Sequence, residues 1–316
     1  IFSDFLSAQS VKDTLTANQY YKKADFLLAE KKTDSSIVYF KKALSIYHTN
    51  SSWEKVASCY NYISSNHRES MKLDSIKFYA KKAYQICKIK LSENHIEILK
   101  AKENLGYYYF KRAKYSKALK YFEDISEIAL KAIPKNYRIH ARFFNNQGRI
   151  YSKLGNFDLA MKLYKKALGS SIKSNQKKHS EIGTYYNNIA AINFRLGQYS
   201  LAIDNLNKAI ELQTKFFGNQ CTQNVRSYNN LGNNLSKKGY FDDALEYYQK
   251  SLKIHLNINS KINSLTASMY NNIGIQYKLL GKNNESILHI KKAIFIRKTI
   301  YPDTHGSIAT SYANLA

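Results

Sequence analysis

The sequence predicts an all-α solenoid, a row of antiparallel helix pairs stacked one on the next. Three observations carry that expectation. Small residues recur every 42 positions at one point of a helical pattern: Ser64, Gly106, Gly148, Ala190, Gly232, Gly274 and Ala316. Similar words surround them, as in Tyr60-Asn-Tyr-Ile-Ser64, Phe144-Asn-Asn-Gln-Gly148, Tyr186-Asn-Asn-Ile-Ala190, Tyr228-Asn-Asn-Leu-Gly232 and Tyr270-Asn-Asn-Ile-Gly274. Two more positions, mostly small, follow all but the last of these, twelve and nineteen residues on, as two closely packed helices require. A fixed period of this length marks one supersecondary unit repeated along the chain.

Residues 1–16 precede the register. Ile1-Phe-Ser-Asp-Phe-Leu-Ser-Ala-Gln resembles the tail of a secretory signal, with Ala8 as the last residue before cleavage. That favours an exported or periplasmic protein over a cytoplasmic one. The competing reading is an N-terminal extension whose helix packs on the first unit. The array then runs over residues 17–316 as about seven and a half units. The first opens at Ala24 and carries Ser36 and Ala43. The second follows from Ser64 with Ile76 and Ala83, and the third from Gly106 with Ala118 and Ile125. The fourth has Gly148, Ala160 and Ala167, and the fifth Ala190, Ala202 and Ala209. Gly232, Ala244 and Ser251 mark the sixth, and Gly274, Ser286 and Ala293 the seventh. Tyr312-Ala-Asn-Leu-Ala316 opens an eighth, read here as truncated.

Glycine inside a helix costs about 1 kcal/mol relative to alanine. Its recurrence at Gly106, Gly148, Gly232 and Gly274 therefore implies that a second helix lies too close for a side chain. Between the two helices of a unit sit Leu154-Gly-Asn-Phe, Leu196-Gly-Gln-Tyr, Lys238-Gly-Tyr-Phe and Leu280-Gly-Lys-Asn, where glycine ends the first helix.

These small, aromatic and alanine positions resemble those of the tetratricopeptide repeat, over about residues 17–316. The consensus tryptophan is replaced by Tyr or Phe in most copies. The period departs from the usual 34 or so residues and is similar to the kinesin-light-chain subtype. The resemblance implies a right-handed superhelix that binds protein or peptide segments in its concave groove. The links Leu91-Ser-Glu-Asn-His-Ile-Glu-Ile and Tyr301-Pro-Asp-Thr-His-Gly-Ser-Ile resemble those of arrays in bacterial CHAT-domain proteins. That implies the sensing arm of a larger protein, with a C-terminal effector domain beyond Ala316.

Composition narrows the chemistry. The prolines, Pro134 and Pro302, both fall in connectors, and no low-complexity tract divides the array. Outside the first residues, no apolar run reaches the 18 that a membrane-spanning helix needs. Cys59, Cys87 and Cys221 are too few and too scattered for a disulfide framework or a zinc site, so buried free thiols are expected. The eight histidines form no His-x-x-x-His or His-Glu-x-x-His pattern, and no phosphate-binding loop or nucleophile elbow occurs. Asp242-Asp243 opens a second helix, where capping explains the pair. No catalytic residue, metal or cofactor is expected.

The inner wall of the superhelix remains as the candidate site. At about 100° per residue, positions six and three before the small residue, and one, four and five after it, share one arc of the first helix. Three before lie Asn61, Asn145, Asn187, Asn229 and Asn271, whose amides can each donate to and accept from a peptide backbone. A second ladder, Asn104, Asn146, Asn188, Asn230, Asn272 and Asn314, lies at the edge of the arc and is read as structural. The arc also carries Arg68, Lys100, Lys111, Arg142, Arg149, Lys153, Arg195, Arg226, Lys237 and Lys278, against Asp25, Glu69 and Glu103. Tyr107, Phe110 and Phe194 add apolar contacts. An acidic peptide is the partner this wall predicts, since Arg forks grip carboxylates, with Asn145, Asn187, Asn229, Asn271, Arg142, Arg226, Lys100, Arg149 and Arg195 as contacts. A net charge of +26 makes single-stranded nucleic acid the alternative. The spread of lysines over both faces argues against it.

Overall fold

The computed structural model describes residues 2–68, 70–92, 94–133, 135–174, 180–218, 221–258 and 261–316. Ile1, Glu69, Pro134 and His179, and the side chains of 2–12 around Ala8, lie outside the described residues. Fifteen α-helices are present among the described residues. The chain divides into two compact units, Ile1–Asn156 and Phe157–Ala316.

The first unit contains α1 (Phe2–Ala29), α2 (Thr33–Thr49), α3 (Trp53–Asn66), α4 (Leu73–Lys90), α5 (Ile96–Lys111), α6 (Tyr115–Ala132) and α7 (Tyr137–Lys153). The second contains α8 (Phe157–Lys173), α9 (Ser180–Arg195), α10 (Tyr199–Phe217), α11 (Thr222–Lys237), α12 (Phe241–Ile258), α13 (Ser264–Leu279), α14 (Asn283–Ile300) and α15 (Gly306–Leu315). Odd-numbered helices are the first helices of the repeats, and even-numbered ones the second. Within each unit, every helix packs on its neighbours in the chain, as in the α-solenoid the repeat predicts.

The small position is where the two helices of a repeat meet. A Cβ built on Gly106 would lie 2.8 Å from the Phe122 ring, and one on Gly232 2.8 Å from the Tyr248 ring. On Gly274 it would lie 2.5 Å from Ile290 Cγ1 and 3.2 Å from the Ser286 carbonyl oxygen. Where the residue is serine, its hydroxyl bonds across instead, as Ser64 Oγ does to the Ile76 carbonyl at 2.9 Å. Four residues earlier, the aromatic of the first helix meets a ring of the second. Tyr60 faces Tyr79 at 6.2 Å, Tyr228 stacks on Tyr247 at 5.8 Å, and Tyr270 meets His289 at 6.0 Å.

Seven residues after the small position, in the turn that follows the first helix, stands a residue with positive φ. Gly155, Gly197, Gly239 and Gly281 hold that place in the later repeats, and Lys31, Met71 and Ala113 in the earlier ones. The residue after it donates its N–H five residues back, as in Gln198 to Asn193 and Lys114 to Tyr109, which closes the helix end. A side chain there costs about 1–2 kcal/mol. The connector histidines begin the next first helix: His95 Nδ1 accepts from the Glu97 N–H at 3.2 Å, and His305 Nδ1 from Ser307 at 3.3 Å. His305 also stacks on Tyr301 at 3.9 Å.

All three cysteines are free and buried. Burial pushes the Cys59 and Cys87 thiols up to about 12. Among the described residues, no helix is long and apolar enough to cross a membrane, and no three His, Cys, Asp or Glu side chains are grouped to hold a metal.

Candidate functional site

The asparagines that precede the small residue by three are mostly not in the groove. Asn61 is buried and donates to the Glu97 carbonyl at 2.9 Å and to Glu97 Oε2 at 2.8 Å. Asn187, only 2% exposed, donates to the Gly183 carbonyl and, at 2.7 Å, to Ser227 Oγ, which in turn donates to Gln213 Oε1. Asn271, also buried, accepts from Ser311 Oγ at 3.2 Å and from Asn314 Nδ2 at 3.1 Å. Asn187 and Asn271, expected on the groove wall, thus lie in a seam where the first helix of the following repeat bonds to them. Asn229 is half-buried and accepts from Asn272 at 3.3 Å, and Asn145 is half-buried and already engaged within the protein. Three pairs drawn from the two ladders bond between repeats. An asparagine of the second ladder reaches back 43 residues to one of the first in Asn104 to Asn61, Asn272 to Asn229 and Asn314 to Asn271.

Among the described residues, three recesses open on the seam between consecutive first helices, all at the same register. In the first unit, one of about 230 Å³ is lined by Asn61, Tyr62, Ser65, Arg68, Lys100, Glu103, Asn104 and Arg142. The next, about 220 Å³, is lined by Arg68, Glu103, Tyr107, Phe110, Phe122, Arg142, Asn146 and Arg149. In the second unit, about 240 Å³ is enclosed by Ala190, Ala191, Phe194, Arg195, Asn230, Asn233 and Asn234. Phe110 and Phe194 occupy the same place in their repeats, as do Asn146 and Asn230. Second-ladder Asn104, Asn146 and Asn230 thus line the recesses, together with first-ladder Asn61.

The predicted cations divide by what they touch. Arg142 and Arg149 line the first unit's recesses, with the Arg149 guanidinium 4.9 Å from the Phe110 ring centre. Arg195 lines the recess of the second unit. Lys100 lines a recess too but is held by Glu97 Oε1 at 2.6 Å. Arg226 is exposed and donates to Asn188 Oδ1 at 3.0 Å, across the seam between α9 and α11. Arg68 leaves the end of α3, lies over the Tyr107 ring at 4.7 Å and donates to Asn104 Oδ1. Burial lowers its affinity for the proton, and Glu103 opposes that shift. Glu103 on α5 pairs with Arg68 at 3.7 Å and with Arg142 on α7 at 3.0 Å. One carboxylate so joins elements of three successive repeats. Buried Glu97 joins Lys100 on its own helix to Asn61 one repeat back.

Two family models, each described as tetratricopeptide repeat, match this chain, one over residues 97–171 and 181–257 and the other over 18–50. The chain belongs to the tetratricopeptide repeat family. Solved structures of similar fold include BtubC (BKLC) from P. vanneervenii, 19% identical, with a TM-score of 0.62 over 75% of this chain and 94% of that one. A Podosopora anserina protein named for kinesin light chain and nearly identical TPR-like repeats is 15% identical, with a TM-score of 0.54 over 64% and 95%. Aspartyl phosphate phosphatase F from Bacillus subtilis is 17% identical, with a TM-score of 0.68 over 95% and 74%. No curated protein matches by sequence. At these identities the likeness is one of fold, and it includes kinesin-light-chain-like repeat arrays. As a tetratricopeptide repeat array, the chain is a scaffold for protein-protein interaction.

Proposed function

We propose that the array is a non-catalytic receptor for an acidic peptide segment, and that the recesses of its first unit take the acidic side chains. One observation carries this reading. Arg68, Arg142 and Arg149 converge on two adjoining recesses in which Glu103 is the only acidic lining residue among those described. Two guanidinium groups there share a single carboxylate, and Arg149 lies beside Phe110 with no acidic partner among the described residues. A guanidinium fork binds a carboxylate through two parallel hydrogen bonds, so a surplus of forks favours an incoming acid. Phe110 and Tyr107 supply apolar area beside the charges. Arg195, Phe194 and Asn230 offer a weaker version of the same surface in the second unit. The reading of the array as the sensing arm of a larger protein with an effector domain rests on the connector words around His95 and His305. The chain would then report capture of its ligand to that domain.

Titration of a fluorescently labelled hexaglutamate peptide, read by anisotropy, tests the site. Arg142→Gln with Arg149→Gln is expected to weaken binding about tenfold. The melting temperature should hold, since Arg142 is exposed and Arg149 half-buried at the wall. Equal binding by the variant, or tighter binding of labelled oligouridylate than of hexaglutamate at physiological salt, rejects the proposal.

A further inference from the structure

The Arg68–Glu103–Arg142 bridge has an unequal build. Arg68 is held on several sides: its side chain is 25% exposed, it lies over Tyr107, it donates to Asn104, and it pairs with Glu103. Its buried Nε still has no acceptor. Arg142 is 46% exposed, and Glu103 is the one carboxylate it meets among the described residues, at 3.0 Å. Glu103 itself is 10% exposed and places one oxygen toward each guanidinium. Loss of Arg142 from the bridge would leave Glu103 neutralised by Arg68, whereas loss of Arg68 would strand charge in a buried place. Arg142 is therefore the mobile partner and Arg68 the fixed one.

We infer that Glu103 is an internal competitor for the ligand: it occupies Arg142 in the unliganded array, and an incoming carboxylate takes Arg142 from it while Arg68 retains Glu103. The inference rests on the acidic-peptide reading above and adds a threshold to it. A single weak acid does not displace a carboxylate already 3.0 Å from Arg142. A segment that also engages Arg149 does, because its second contact raises the local concentration of the first. Exchange at Arg142 also releases α7 from its charge link to α5, so capture of the ligand acts on the joint between two repeats.

The test uses the same labelled hexaglutamate peptide with a double-mutant cycle. Glu103→Gln removes the competing charge and keeps the shape; it is expected to tighten binding about fivefold at low salt. In an Arg142→Gln background the same change is expected to give no gain, since there is nothing left to release. A gain that persists there reflects simple removal of a negative charge and overturns the inference, as does unchanged or weaker binding by folded Glu103→Gln. If Arg142→Gln weakens binding while Glu103→Gln does nothing, the peptide site stands and the competitor falls. If Arg142→Gln has no effect, both fall. Should Glu103→Gln unfold by leaving Arg68 unpaired, Glu103→Asp replaces it. That variant keeps the charge for Arg68 but retracts it from Arg142, and affinity equal to the parent then overturns the inference.

Discussion

Gly274 shows how a single residue sets the spacing of two helices. Its missing Cβ leaves room for Ile290, whose Cγ1 would be only 2.5 Å away. Gly169, in the same unit, lies in α8 with nothing within 4 Å of an added Cβ. The two glycines therefore respond oppositely to alanine. Overpacking costs about 1–3 kcal/mol and the gain in helix propensity is about 1 kcal/mol. Gly274→Ala should lower the unfolding free energy by about 1–2 kcal/mol, and Gly169→Ala should raise it by up to about 1 kcal/mol. Urea denaturation of the two variants checks both signs. The Gly274 half of this was legible in the sequence, because glycine at one helical register needs a reason. Gly169 falls outside the 42-residue register, so its open surroundings could not be read from spacing.

At the scale of an element, the end of α3 carries a pH response. His67 caps that helix, is buried, and stacks on Tyr79 at 5.7 Å with no partner for Nδ1. Burial, then Lys72 and Lys41, lower its pKa below the usual 6.5, with Asp34 opposing. The unfolded chain therefore takes up the proton first as pH falls below about 6.5. Native stability contributed by neutral His67 is complete above that pH and lost as pH drops toward the folded value. Melting curves from pH 7.5 to 5.5 should show a smaller decline in His67→Gln than in the parent. A slope identical in both removes His67 as the cause. Helix ends were also where prediction worked best. Glycine at Gly155, Gly197, Gly239 and Gly281 announces the left-handed turn, whereas Lys31, Met71 and Ala113 adopt it without that signal. There the rest of the repeat imposes the turn on residues that do not favour it.

Across the whole molecule, a net charge of +26 would govern encounter with the proposed acidic peptide. Long-range attraction is screened over about 8 Å at physiological salt and about 30 Å at about 0.01 M. Raising salt from about 20 to 300 mM should slow association with hexaglutamate by about tenfold or more and change dissociation far less. Stopped-flow traces separate the two, and a loss confined to dissociation contradicts the account. The period of 42, the small and aromatic positions and the turn glycines together determined the fold from sequence alone. They could do so because each acts within one helix or between the two helices of one repeat, where spacing along the chain translates directly into contact. What only the tertiary structure decided is which side of each first helix remains open. A helical wheel placed Asn187 and Asn271 on the groove wall, but it contains no neighbouring repeat, and the bonds that bury them arrive from 40 and 43 residues away. The same is true of Glu103, whose role comes from arginines one repeat before it and one repeat after. Packing between repeats, set by how whole helices lie against each other, put Asn187 and Asn271 in the seam and left Arg142, Arg149 and Arg195 lining recesses beside it.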